Sequence, residues 1–269
     1  MPGGIPARLS VKKENRMILN DFSLHGKVAV VTGCNTGLGK SMAVGLAQAG
    51  CDIVAINRSE PTETAKEVTA AGRRFLSLKA DLGKQDQLAS LLERAVGEMG
   101  QIDILVNNAG IIRRDEALDF SEQDWDDVMN VNIKTLFFLS QLVARQFVKQ
   151  GHGGKIINIA SLLSFQGGVR VPSYTASKSA VMGLTRELAN EWAKHGINVN
   201  ALAPGYIATN NTEQLRDDPT RNKDILNRIP AGRWGAPEDL MGPVVFLASS
   251  ASDYVNGYTL AVDGGWLAR

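Results

Sequence analysis

A chain of 269 residues, 44% hydrophobic and 21% charged, is long enough to bury a full core and lies within the size that one α/β domain commonly reaches. Its net charge of +1 gives no field strong enough to make nucleic acid or an anionic membrane the main partner. Any attraction for an anionic substrate therefore has to be local.

Residues 1–16 are polar, carry Pro2 and Pro6, and lack the apolar core of a signal peptide. They read as a disordered tag or upstream extension, with Met17 as the natural start and 17–269 as a single domain. No run reaches the length of a membrane span. The apolar run 27–31 reads as a buried parallel strand, followed by a glycine-rich turn over 32–39 and a small-residue helix over 40–49. Strand-like runs recur at 52–57, 75–79, 102–107, 155–159, 198–203 and 258–262, with helical patterns at 85–99, 125–150, 174–195 and 237–248. Such alternation predicts a doubly wound α/β domain, a seven-stranded, mostly parallel sheet with helices on both faces. The polar stretch 210–234, with Pro219, Pro230 and Gly232, suits a mobile lid over a substrate or, failing that, a long surface loop. Cys34 and Cys51 make no disulfide framework and share no metal-ligand spacing with His25, His152 and His195, which points to a reduced, cytoplasmic setting and no metal.

Ligands of such sheets sit beyond the carboxyl ends of the strands. Gly33, Asn57, Asp81, Asn107, Ser161 and Pro204 all fall at or just past such an end, so one cleft collects them. The first turn, Gly33, Cys34, Asn35, Thr36, Gly37, Leu38 and Gly39, places glycines where backbone must turn tightly and approach a pyrophosphate at a helix N-terminus. Tyr174 and Lys178 stand at i and i+4 on a helical pattern, so they share a face. A cation beside a phenol favours the phenolate and brings a weak base into working range at neutral pH. A phenol so placed suits proton transfer with an alcohol or a carbonyl.

These motifs together resemble the short-chain dehydrogenase/reductase family, a Rossmann-type fold. The resemblance runs from about residue 24 to the C-terminus and includes the turn Thr32 to Gly39, Asp81-Leu82, Asn107-Asn108-Ala109-Gly110, Asn132, Ser161, Tyr174 with Lys178, and Pro204-Gly205 with Ile207 and Thr209. It implies a catalytic tetrad of Ser161, Tyr174, Lys178 and Asn132. Ser161 would hold the reacting oxygen, Tyr174 would exchange its proton, and Lys178 would bind the nicotinamide ribose and lower the tyrosine pKa. Asn132 would hold a helix kink and a water. It also implies a nicotinamide cofactor along Gly33 to Gly39, Asp81 and Leu82 at the adenine, Asn108, Ala109 and Gly110 beside the central strand, and Pro204, Gly205, Ile207 and Thr209 over the carboxamide. Ser164 competes for the serine role but breaks the family spacing, so it reads as a loop or pocket residue.

Asn57 stands where an NAD enzyme of this kind usually has a carboxylate for the ribose diol, and Arg58 beside it could meet a 2′-phosphate. The expectation is NAD, with NADP possible. Segments 108–114, 164–172 and 203–212 resemble the family's sugar-acid branch, which acts in pectin and uronate breakdown. An acidic substrate needs a fixed cation, and Arg113, Arg114 and Arg170 are the candidates, with Gln166 and Asn211 for hydroxyls. A carrier-thioester reductase using NADPH and a non-catalytic cofactor-binding scaffold are the rival readings. The resemblance further implies a homotetramer, built on the helices 125–150 and 174–195 and the segment 257–269.

Overall fold

The computed structural model describes residues 17–269, so the expectation for residues 1–16 lies outside the described residues. Seven strands follow along the chain: β1 (Val28–Thr32), β2 (Asp52–Asn57), β3 (Phe75–Lys79), β4 (Ile104–Asn107), β5 (Gly154–Ile159), β6 (Ile197–Pro204) and β7 (Thr259–Val262). They align in the order β3-β2-β1-β4-β5-β6-β7, and every neighbouring pair is parallel. The mostly parallel sheet expected from the sequence is parallel throughout.

Every residue of β1, β2 and β4 is buried, which is why these strands read as unbroken apolar runs. The period of two divides their side chains between two cores. Ala29, Val31, Ile53 and Val106 pack with Met42, Leu46 and Val244, from α1 (Gly37–Gln48) and, late in the chain, Met241–Ala248. Val28, Val30, Val54 and Leu105 pack on the other face with Leu92, Val143 and Leu188. Those come from Leu88–Met99, Leu136–Gln150 and Pro172–Trp192. In chain order the helices after α1 are α2 (Thr62–Ala70), α3 (Leu88–Met99), α4 (Glu122–Met129), α5 (Leu136–Gln150), α6 (Pro172–Trp192), α7 (Glu213–Asp217), α8 (Pro219–Arg228) and α9 (Met241–Ala248).

Two segments differ from expectation. The helix predicted over 125–150 is α4 and α5 joined by a π-helical turn, Asn130–Thr135; such turns interrupt helices most often at functional sites. The stretch predicted as a polar loop contains α7 and α8. Asp218 caps α8, its Oδ1 accepting from the backbone N–H of Thr220 at 2.9 Å and Arg221 at 3.0 Å, and Pro219 occupies the first helical position. Ile225, Ile229, Leu162 and Trp266 form a separate apolar cluster beneath these helices. They are seated by a core of their own, which a reading based on their polar composition misses.

Candidate active site

A cleft of about 1120 Å³ opens at the carboxyl ends of the strands, where the topology places it. The β1–α1 turn lies along one side. Gly33 (φ +64°) and Gly37 (φ +56°) take left-handed backbone, and a Cβ at Gly39 would collide with the Gly33 carbonyl oxygen and the Asn108 amide nitrogen. Side chains hold the turn from behind: Thr64 Oγ1 donates to the Cys34 carbonyl at 2.6 Å, and Asn108 Nδ2 donates to the carbonyls of Thr32 and Gly33 at 2.9 and 2.8 Å. The first N–H groups of α1 are left without a side-chain cap from Thr36. A bare backbone cradle at a helix N-terminus fits the pyrophosphate of a dinucleotide.

Asn57 stands at the end of β2. It is 4% exposed, its Oδ1 accepts from the Cys34 backbone N–H at 2.7 Å, and its Nδ2 points at the Cys34 sulfur. Its amide braces the glycine turn, and the residue also lines the cleft. Arg58 lines the cleft beside it and, among the described residues, has no carboxylate at ion-pair distance. Asp81 also lines the cleft, and its Oδ1 accepts from Gly83 N–H at 3.0 Å, so it shapes a turn and does not cap α3. Leu82, Ala109, Gly110, Pro204, Gly205 and Thr209 border the same space. Ile207 does not; its side chain is 5% exposed and packs in the core.

Tyr174, in the first turn of α6, and Ser161, just past the end of β5, line the cleft together, the Ser161 hydroxyl beside the phenol. Burial holds the Tyr174 phenol above its ordinary pKa, while the Ser161 hydroxyl and the Arg114 guanidinium pull the other way. Lys178 stands beside the phenol, as its spacing predicts. It lies 5.5 Å from the Tyr174 ring centroid; its Nζ donates to the Ile159 carbonyl at 2.6 Å, and burial lowers its own pKa to about 8. Ser164 is a brace, its Oγ donating to the Lys178 carbonyl at 2.6 Å and accepting from Ser161 N–H.

Asn132 is 1% exposed, in the π turn. Its Oδ1 accepts from Ile111 N–H at 2.8 Å; its Nδ2 donates to the Ile111 carbonyl at 3.0 Å and to Ser177 Oγ at 3.1 Å. It thus ties the strand exit after β4 to α6. Its side chain does not line the cleft, and both N–H donors of its amide and one acceptor site are engaged.

The three predicted arginines separate. Arg114 faces the cleft and acts on Tyr174. Arg113 points away and pairs with Asp124 at 3.0 Å and Asp127 at 3.3 Å of α4, so its charge is committed elsewhere. Arg170 lines the cleft, with left-handed backbone (φ 63°), and pairs with Glu116 at 3.1 Å. Gln166 and Asn211 line the cleft as expected. So do Arg221 and Arg228 of α8, which sequence reasoning missed. The Asp218-Pro219 pair is a helix-start signal that would have placed them on one helical face. Against five arginines the lining carries one carboxylate, Asp81, so a nearly neutral protein concentrates positive potential in its cleft.

A family model described as short chain dehydrogenase matches residues 27–220. A 2-dehydro-3-deoxy-D-gluconate 5-dehydrogenase of Dickeya dadantii (strain 3937) is 75% identical over 94% of this chain and 100% of its own length. The enzyme of the same description from Escherichia coli (strain K12) is 76% identical with the same coverage. The crystal structure of a gluconate 5-dehydrogenase from Burkholderia cenocepacia J2315 in complex with NADP and tartrate is similar with a TM-score of 0.89 at 40% identity, over 94% of this chain and 100% of that one.

Proposed function

The chain belongs to the short chain dehydrogenase family, and from that premise we propose that it interconverts 2-dehydro-3-deoxy-D-gluconate and 3-deoxy-D-glycero-2,5-hexodiulosonate with NAD(H), in pectin and uronate breakdown. The observation that carries this reading is the meeting of Ser161, Tyr174 and Arg114 in a cleft lined by arginines. The names of the most similar relatives support the substrate.

In the oxidative direction Ser161 holds the reacting hydroxyl and Tyr174 removes its proton. A nicotinamide cofactor held along the glycine turn would supply the hydride acceptor for the carbinol carbon. Arg114 stabilises the phenolate that takes this proton, since a cation favours the charged form. Lys178, anchored on Ile159, is placed to hydrogen-bond the nicotinamide ribose. Asn132 fixes the wall behind them. In reduction Tyr174 gives the proton back.

The test is a coenzyme-coupled absorbance screen of sugar acids against their neutral counterparts, carrier thioesters and steroid carbonyls, each with NAD(H) and NADP(H). Turnover of the deoxy keto acid well above all others is expected. Equal oxidation of neutral sugars, or preference for a thioester, overturns the reading. One observation favours a second reading on the cofactor: Arg58 lines the cleft at the end of β2 with no partner carboxylate among the described residues, which suits a 2′-phosphate. A tenfold higher kcat/KM with NADP would replace NAD.

The same proposal includes a cytoplasmic homotetramer. Trp125 and Phe138, each 40% exposed, and Val148, 49% exposed, lie on α4 and α5, apolar surface of the kind that oligomer contacts cover. Light scattering on the purified protein is expected to give four chains, and a monomer would overturn it. Among the described residues no helix is long and apolar enough to cross a membrane.

A further inference from the structure

We propose that Arg228, at the end of α8, holds the substrate carboxylate and sets the preference for acids over neutral sugars. The inference rests on the sugar-acid reading above and deepens it. In the proposed substrate the carboxylate and the carbinol that reacts lie toward opposite ends of the carbon chain. Arg114 lines the cleft with Tyr174, and its charge favours the phenolate, so it belongs with the reacting group. Arg113 is held by Asp124 and Asp127, and Arg170 by Glu116. Of the arginines that line the cleft, that leaves Arg58 at the end of β2 and the pair on α8, Arg221 and Arg228.

Arg228 lines the cleft pre-oriented, with no carboxylate at ion-pair distance among the described residues. Its guanidinium carbon lies 4.0 Å from the Trp266 ring centroid, and its Nη2 donates to Gln166 Oε1 at 3.3 Å. Trp266 Nε1 donates to the same oxygen at 3.2 Å. Trp266 is itself fixed, 4% exposed and 4.6 Å from the Tyr206 ring centroid. The Arg269 side chain donates to the carbonyls of Asn227 and Arg228, which pins the end of the helix. Leu162, next to Ser161, belongs to the same apolar cluster as Trp266, so this wall adjoins the reacting centre.

A guanidinium has five N–H donors in a planar fork. One is given to Gln166, and an edge remains for a two-point bond to a carboxylate. Because ring and glutamine already fix the plane, little further freedom is lost on binding. Gln166, its amide oxygen taken by two donors, can offer its N–H₂ to a substrate hydroxyl.

The experiment compares wild type, Arg228→Gln and Arg228→Lys on the deoxy keto acid and on its counterpart with the carboxylate reduced to a primary alcohol, together with cofactor affinity by fluorescence titration. Arg228→Gln is expected to raise KM for the acid by roughly 10- to 100-fold, the range for hydrogen bonds to charged groups. The kcat, the cofactor affinity and turnover of the alcohol counterpart stay within a few-fold of wild type. Arg228→Lys should recover part of the loss. An unchanged KM for the acid overturns the inference, as does an equal loss on acid and alcohol, which marks a merely structural role. A wild type that does not prefer the acid at all overturns instead the sugar-acid reading beneath it.

Discussion

The Lys178 ammonium donates a 2.6 Å hydrogen bond to the Ile159 carbonyl, so the lysine is fastened to the end of β5 while lying beside Tyr174. Burial brings its pKa down from 10.5 to about 8. Below the folded value both folded and unfolded states carry the proton, and burying the ammonium costs stability in full. Between about 8 and 10.5 the unfolded chain binds the proton and the folded one releases it, so stability contributed at this site rises with pH. The unfolding free energy of wild type relative to Lys178→Met should therefore rise by about 3 kcal/mol between pH 7.5 and pH 10.5, taking 1.36 kcal/mol per unit. Denaturant titrations at the two pH values measure it. A gap that does not change, or one that narrows, contradicts the burial of a charged lysine.

Tyr174→Phe removes the phenol oxygen and little else. With Ser161 left to hold the reacting hydroxyl and no group to take its proton, kcat should fall by roughly 10²- to 10⁴-fold, the usual contribution of a positioned acid–base group. Cofactor affinity should remain within a few-fold of wild type. Single-turnover absorbance and a cofactor titration decide it, and retention of more than a few per cent of kcat removes Tyr174 from the proton path.

The strands and the glycine turn are legible in the sequence because both obey short-range rules, continuous apolar runs for a strand buried on both faces and glycine where the backbone crowds. Helical periodicity over 125–150 hides the π turn, since that irregularity is held by Asn132 reaching Ile111 and Ser177, contacts that are distant in sequence. Adjacent arginines give no hint that Arg113 turns to α4 and Arg114 to the cleft. Asn57 sits at the expected strand end, yet its amide folds back on Cys34. In each case position along the chain is readable and side-chain direction is not, because direction is decided by which partner the fold brings near.

Arg114 and the Ser161 hydroxyl are the two groups that pull the Tyr174 pKa down against burial. Arg114→Gln removes one of them, so the phenol pKa must rise further. In the oxidative direction the deprotonated phenol is the active form, and the rising limb of log kcat/KM against pH should move to higher pH in the variant. For reduction the active form is protonated, and its falling limb should move the same way. Profiles recorded in both directions make the check, and limbs that stay in place, or move to lower pH, refute the electrostatic role.

Asn132→Ala deletes three hydrogen bonds at once, one fully buried and two partly so, and leaves the Ile111 N–H and carbonyl without side-chain partners. At about 1–3 kcal/mol for each unsatisfied buried group, with partial relaxation, the loss should be about 2–4 kcal/mol. The π turn would also lose what holds it open, and kcat should fall with the alignment of α6. Denaturant unfolding alongside kcat tests both. A variant within about 0.5 kcal/mol of wild type, the range of neutral surface changes, would mean that packing alone holds the turn.

Gly39 and Gly97 separate two reasons for glycine in a helix. Neither is recorded with positive φ, so alanine is conformationally allowed at both. At Gly39 the added methyl group would meet the Gly33 carbonyl oxygen, the Asn108 amide nitrogen and the Cys34 Cα. The Asn108 nitrogen and Gly33 oxygen are themselves hydrogen-bonded, so neither can move without opening the link between the first turn and the end of β4. Gly39→Ala should cost about 1–3 kcal/mol, the usual penalty for overpacking, and should weaken cofactor binding because the displaced backbone is the phosphate cradle. At Gly97, in α3, a methyl group would meet nothing within 4 Å. Gly97→Ala should then stabilise by about 0.5–1 kcal/mol through backbone entropy, with cofactor affinity unchanged. Thermal unfolding and cofactor titration of the two variants give opposite signs if the crowding at Gly39 is what shapes the cradle. Tight cofactor binding by Gly39→Ala would show that the backbone can yield there, and the fit between turn and pyrophosphate would need another origin.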